Sequence, residues 1–477
     1  MNGGKVFTNL IWRFAERIGA KLISVVVNLI LARVLAPEKF GTVAIVLLIT
    51  DILQVFVESG FGTALIQKKN ADDLDFSSVF FFNVTVCLIL YTLLFLLAPW
   101  ISGLYRNPEL VSIIRVVGLI LIISGVRNVQ QAYVARNMLF KRFFFATIGG
   151  TICAAVVGIA MAYRGFGVWA YVAQYLVNNL VGTLILWFTV KWRPKAVFSF
   201  ERLKGLFSFG WKLLASSLLN TISEKLRPMI IGLQYTSADL ALYNEGMLFP
   251  NLIVENVNSS IDSVLLPALS EQQDSTERVR QMTKHAIRLS SYIMWPLMFG
   301  LFACARPLVS LVLGEDWLPC VPFIRIFALY YAMYPVHTSN LNAIKAVGRS
   351  DIFLKLEIIK RILDFALVIG TLFISVRAMA YGLLAEGIIC LFINSWPNKK
   401  LCGYTFTEQL KDILPSFLLA AAMCAAVFAI TFLHFSDLAT LIIQVPFGAV
   451  LYVAGSWLLK LEPFQYLLEI VKKFRHE

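Results

Sequence analysis

The residues most able to do chemistry in this 477-residue chain are ionisable side chains set inside long apolar stretches. The first stretch holds Arg13, Glu16, Arg17 and Lys21, at the three- and four-residue spacing that places side chains on one helical face. The second holds Asp51 and Glu58. A later one holds Lys212, Glu224, Lys225 and Arg227 just before Pro228, and the next holds Glu245, Glu255 and Asp262. Arg115, Arg127, Arg306, Arg325 and Asp364 are further charges inside apolar stretches. In hydrocarbon each such group costs about 2.5–3.5 kcal/mol on insertion scales, so it turns toward a bundle interior or a water-filled cavity. Arginine and lysine there suit an anion such as a diphosphate or an acidic sugar. Carboxylates suit a proton or a small cation. Arg17, Lys21, Lys225 and Arg227 are therefore candidates for substrate binding. Asp51, Glu58, Glu255 and Asp262 are candidates for cavity lining or for coupling to H+ or Na+.

Blander roles exist for several of them. Arg13 and Lys212 can snorkel to an interface, Glu16–Arg17 and Glu224–Lys225 can be structural pairs, and Arg115 and Arg325 can anchor helix ends. Other chemistry is missing from the sequence. No phosphate loop, Rossmann fingerprint, Ser/His/Asp set or zinc-ligand spacing occurs. The seven cysteines are scattered, mostly in apolar stretches, and read as small buried hydrophobes. The four histidines are too dispersed for a metal cluster. The chain reads as a non-enzyme with no cofactor.

The elements that position these groups follow from composition. Hydrophobic residues make up 58% of the chain and charged ones 15%, with a mean hydropathy of +0.74. A soluble domain averages about 45–50% and 25%. The apolar residues fall into blocks of roughly 18–25, enough to cross a bilayer as a helix. Spans are expected near 10–35, 41–66, 77–104, 111–135, 143–164, 168–190, 207–232, 240–268, 284–313, 319–344, 352–376, 378–396, 411–433 and 438–461. The fold class is thus all-α and integral to the membrane, with about fourteen transmembrane helices. No connecting loop is long enough for a folded domain. Arg13, Arg17 and Lys21 within the first block, with no convincing cleavage site after it, make it a retained helix rather than a signal peptide.

The net charge of +13 is distributed as a topology signal, not as a nucleic-acid footprint. Lys68, Lys69, Arg136, Lys141, Arg142, Lys191, Arg193, Lys195, Arg278, Arg280, Lys399 and Lys400 fall on one side. Arg33, Lys39, Arg106, Arg164 and Arg377 fall on the other. The positive-inside rule then puts both termini in the cytoplasm.

A weak internal repeat adds an architecture. Ile113–Leu119 in the fourth span parallels Phe323–Leu329 in the tenth. Trp169-Ala-Tyr171 parallels Met379-Ala-Tyr381 at the same offset, and Thr63-Ala-Leu65 resembles Pro267-Ala-Leu269 at a slightly shorter one. The expected organisation is two pseudo-symmetric six-helix lobes, 1–205 and 206–405, related by an axis along the membrane normal. Two appended C-terminal helices and a tail make up 406–477. Two such lobes imply a cleft between them near the midplane.

Ala32–Gly41, Glu58–Gln67, Ser78-Val-Phe80, Arg136–Lys141 and Gly165–Trp169 resemble the polysaccharide-transport flippases of the multidrug/oligosaccharidyl-lipid/polysaccharide exporter superfamily. Ala241–Asn244, Leu265–Leu269 and Gly314–Trp317 continue the resemblance into the second half, and it fades after about residue 405. It implies a two-lobed bundle of fourteen helices, with helices 1, 2, 7 and 8 around a central cavity. It also implies flipping of an undecaprenyl-diphosphate-linked oligosaccharide in a bacterial inner membrane for O-antigen, capsule or exopolysaccharide assembly. Partners would be that lipid-linked oligosaccharide, membrane lipid, H+ or Na+ and the polysaccharide polymerase machinery. A drug/cation antiporter of the same fold is the alternative, and it would need an acidic, aromatic pocket.

Overall fold

The structure is a computed structural model that describes residues 3–58, 61–68, 71–272 and 274–476. Among those residues every regular element is helical. The chain begins with α1 (Gly3–Val34), α2 (Pro37–Glu58), α3 (Phe61–Gln67), α4 (Asp73–Leu104) and α5 (Leu110–Val117). Next come α6 (Leu119–Arg136), α7 (Phe140–Tyr163), α8 (Val168–Thr189), α9 (Phe200–Gln234) and α10 (Ser237–Glu271). The second half holds α11 (Thr276–Val312), α12 (Val321–Ala332), α13 (Tyr334–Ala346), α14 (Ser350–Thr371) and α15 (Val376–Ser395). It ends with α16 (Asn398–Leu401), α17 (Phe406–Ala429), α18 (Asp437–Leu458) and α19 (Glu462–His476). The chain divides into two compact units, Met1–Ala241 and Leu242–Glu477.

Ten stretches among the described residues are long and apolar enough to cross a bilayer, which makes this an all-helical, multi-pass membrane protein. Four further helices, α1, α9, α10 and α14, have 32, 35, 35 and 22 residues. At 1.5 Å per residue even the shortest reaches about 33 Å. These four interrupt their apolar runs with charge, and they carry most of the ionisable residues picked out above.

Two expected spans are broken in two. Residues 41–66 cover α2 and α3, and residues 59 and 60 between them lie outside the described residues. Residues 111–135 divide at Gly118, where Tyr91 and Leu94 of α4 lie 3.1 Å from the place a Cβ would occupy. A larger residue would require those two side chains to shift slightly, so the glycine fits a close approach. Residues 319–344 divide at Met333, and Pro335 opens α13 where its missing N–H is harmless.

Several resemblance motifs hold the first unit together. Ser77 and Ser78 are fully buried at the start of α4, and their hydroxyls accept from the amides of Lys195 and Ser199, 3.0 and 2.9 Å away. That docks the connection between α8 and α9 onto α4. Gln130 donates to the Trp192 carbonyl at 3.0 Å, and Trp192 packs with Phe76 and Phe80. Arg136 donates to the carbonyl of Leu65 at 2.7 Å, at the end of α3. Gly165 and Gly167 take positive φ in the turn from α7 to α8, where a side chain would be strained.

The two arginines of the sequence repeat make parallel contacts, each in its own unit. Arg115 of α5 donates to the Phe95 carbonyl of α4 at 3.4 Å and lies 4.1 Å over that ring. Arg325 of α12 donates to the Phe302 carbonyl of α11 at 3.3 Å and lies 5.4 Å over that ring. Each charge is stabilised in the same way: a phenylalanine one helix earlier offers both its carbonyl and its π-face.

Candidate functional site

The charges of the first unit gather on α1, α2 and α9. α9 starts cleanly because the Ser199 side chain caps it, accepting from the Arg202 amide. Deep in its length, Pro228 removes an N–H that would bond the Glu224 carbonyl. Lys225 and Arg227 sit beside this weak point. Lys225 Nζ meets Asp51 Oδ2 of α2 at 2.7 Å, with the two side chains 32% and 33% exposed. Two residues assigned separate roles from sequence, anion binding and cation coupling, thus form one ion pair. Arg227 is buried, at 6% exposed.

On α1 the residues diverge. Glu16 is buried and accepts from the Thr147 hydroxyl of α7 at 3.0 Å. Arg17 and Lys21 are exposed. In the second unit Glu255 is exposed on α10 and accepts from Asn251 at 3.3 Å, whereas Glu245 is buried. The side chains of Glu58 and Asp262, and those of Arg13 and Lys212, lie outside the described residues.

A second cluster was not singled out from sequence. In the second unit a cavity of 240 Å³ is lined by Glu357, Lys360 and Arg361 of α14, Glu386 and Asn394 of α15, and Tyr330, Tyr334 and His337 of α12 and α13. Lys360 Nζ lies 2.5 Å from Glu357 Oε1. His337 is 9% exposed and pairs through Nδ1 with the Asn394 amide at 3.1 Å. Two acids and two bases balance formally, so the chamber suits water or a small ion better than a polyanion. Its signal was present: Glu357, Lys360, Arg361 and Asp364 recur at helical spacing within an apolar stretch. Among the described residues no group of histidine, cysteine and acidic side chains could hold a metal ion.

Residues 30–322, more than half of the chain, match the family described as polysaccharide biosynthesis protein. The chain belongs to that family. It is 26% identical over 420 residues to the succinoglycan biosynthesis transport protein ExoT of Rhizobium meliloti (strain 1021), covering 87% of this chain and 82% of that one. It is 23% identical to the lipopolysaccharide biosynthesis protein WzxC of Escherichia coli (strain K12), covering 82% and 80%. Among solved structures, the lipid II flippase MurJ in an inward closed conformation is similar with a TM-score of 0.74 at 15% identity, over 95% of this chain and 98% of that one. An inward-facing multidrug resistance MATE transporter of the MOP superfamily follows at 0.60 and 14%, over 82% and 96%. At those identities the structural likeness establishes the fold. The family match establishes that this membrane protein belongs among polysaccharide biosynthesis proteins.

Proposed function

We propose that the protein flips a polyprenyl-diphosphate-linked oligosaccharide from the cytoplasmic to the periplasmic leaflet of a bacterial inner membrane, for surface polysaccharide assembly. The observation that carries this reading is similarity along nearly the whole chain to ExoT, a transport protein of succinoglycan biosynthesis. The protein acts without a catalytic step. A polar head must pass about 30 Å of hydrocarbon while its polyprenyl tail stays in lipid. A hydrated cationic cavity bearing Arg17, Lys21, Lys225 and Arg227 would replace the hydration of the diphosphate, opening to each side in turn. H+ or Na+ coupling through Asp51, Glu58, Glu255 or Asp262 belongs to the same proposal, and so does hand-over to a polymerase.

The fourteen-span architecture with lobes 1–205 and 206–405 is also proposed. It is supported by the ten apolar stretches plus α1, α9, α10 and α14, and by the parallel placing of Arg115 and Arg325.

Deletion tests the function directly. Cells lacking the protein should lose surface polysaccharide and accumulate the complete lipid-linked oligosaccharide, still inaccessible from the periplasm. Normal surface polysaccharide without accumulation would overturn the reading.

Topology is tested with single cysteines at Lys195 and Asp316, in a background without the native cysteines. An impermeant thiol reagent on intact cells should label the second site and spare the first, as the Lys/Arg asymmetry requires. Equal labelling would contradict fourteen spans with both termini inside.

A further inference from the structure

A further cavity lies away from the charges discussed so far. A trough of 960 Å³ runs along α10 and α11 of the second unit, with the first turns of α19 at one end. Its walls are apolar, with Val257, Ile261 and Leu265 from α10 and Leu289 and Ile293 from α11. The α19 end is cationic. Lys284, His285 and Arg288 of α11 line it, on the stretch that the charge asymmetry assigns to the cytoplasmic side. The shape is that of a binding site for an amphiphile, with a long hydrocarbon wall and a basic head.

The cations are held in an arrangement that can exchange. Asp412 of α17, 8% exposed, is fixed by a 2.8 Å hydrogen bond from Tyr404 Oη. It accepts from Arg288 Nε at 2.9 Å and lies 3.6 Å from Lys284 Nζ. The other side of the Arg288 guanidinium meets Glu462, at the start of α19. Glu462 is 63% exposed, so this carboxylate is readily displaced. Tyr466, one turn on, packs edge-on against the His285 ring with centroids 4.4 Å apart. His285 Nε2 is buried with no hydrogen-bond partner among the described residues. Without Glu462, Lys284 and Arg288 face a single carboxylate and the site carries one net positive charge.

We propose that this trough takes up the carrier lipid on the cytoplasmic side. The isoprenoid chain of a lipid diphosphate lies along α10 and α11, and its phosphate replaces Glu462 on Arg288. The identity of the cargo rests on the flippase reading above. The diphosphate, esterified at both ends, bears two negative charges against the one of the carboxylate it displaces and offers four non-bridging acceptor oxygens. It can take a bidentate bond from Arg288 while Lys284 and His285 donate to the oxygens that remain. A phospholipid presents a single phosphodiester with one charge, half that of the diphosphate, to reward the exchange.

Farnesyl diphosphate is a suitable probe, titrated calorimetrically into the full-length protein in detergent micelles. Saturable binding is expected. Inorganic diphosphate should bind at least about tenfold more weakly, and added phosphatidylglycerol should leave the affinity unchanged. Arg288→Gln should weaken the probe about tenfold or more, since a hydrogen bond to a charged group is lost. Ile261→Trp, which fills the trough without touching the ion pairs, should weaken it comparably while the melting temperature is kept. Glu462→Gln should tighten it severalfold. Equal binding of inorganic diphosphate would reduce the site to an anion patch, and suppression by phosphatidylglycerol would make it an ordinary lipid groove. Unchanged affinity in Ile261→Trp would remove the trough from the site even if Arg288→Gln unfolded. Normal surface polysaccharide in the deletion strain, together with the expected binding pattern, would refute flipping and leave the trough standing. Accumulation of cargo without this binding pattern would refute the trough alone.

Discussion

Asp51→Asn is expected to lower stability by about 2–3 kcal/mol, and Lys225→Gln by a similar amount. The double variant Asp51→Asn with Lys225→Gln should recover most of that loss. The reasoning rests on the 2.7 Å pair between α2 and α9. Removing one partner leaves a partly desolvated charge without its counter-ion. Removing both leaves two amides or their hydrogen bonds, at a far smaller cost. A fully buried pair would lose about 3–5 kcal/mol. The smaller figure applies here because a third of each side chain meets solvent.

Thermal melting of the solubilised protein measures this part, and surface polysaccharide in cells measures the rest. If Lys225 binds the diphosphate, the double variant should fold near normally yet fail to export. Export restored along with stability would make Lys225 a structural partner of Asp51 and remove it from the substrate site.

The same pair shows what one sequence can and cannot display. Bilayer-length apolar blocks are a one-dimensional property, so the helices were legible, as was the presence of charge inside them. The fourth span reads as continuous because no proline marks the turn at Gly118. The close neighbours of that glycine, Tyr91 and Leu94, come from another helix. Pairing is likewise a property of two helices. Asp51 and Lys225 are 174 residues apart, and nothing in either segment names the other.

The chamber of the second unit was overlooked for a different reason. Glu357, Lys360 and Arg361 lie inside the apolar block at 352–376, and sequence alone does not tell which neighbours face them. Only the packing of α12, α13 and α15 around them shows that they line a cavity. Arg115 and Arg325 are the opposite case. The short sequence match between them is weak, but their shared contact with a phenylalanine carbonyl and ring gives that match a physical meaning.

Arg17 and Arg227 should separate charge recognition from packing most sharply, because the structure places them so differently. Arg17 is exposed on α1, whereas Arg227 is buried on α9. An arginine that grips a phosphate through two N–H groups is poorly replaced by glutamine and only partly by lysine. Each charge-assisted hydrogen bond contributes about 1.5–3 kcal/mol, so losing the pair should reduce flipping by two orders of magnitude or more, on the order of complete loss of surface polysaccharide. Arg17→Gln should show this at normal protein abundance, since little packing is disturbed, and Arg17→Lys should retain part of the export. Arg227→Gln should lose export as well, but with reduced abundance, because its buried surroundings are built around a guanidinium. Membrane abundance measured by immunoblot beside surface polysaccharide distinguishes the two causes. Wild-type export from abundant Arg17→Gln protein would take Arg17 out of the cationic cavity. If Arg227→Gln were also abundant and fully active, substrate recognition would have to lie elsewhere, and the trough between α10 and α11 would become the main contact with the diphosphate.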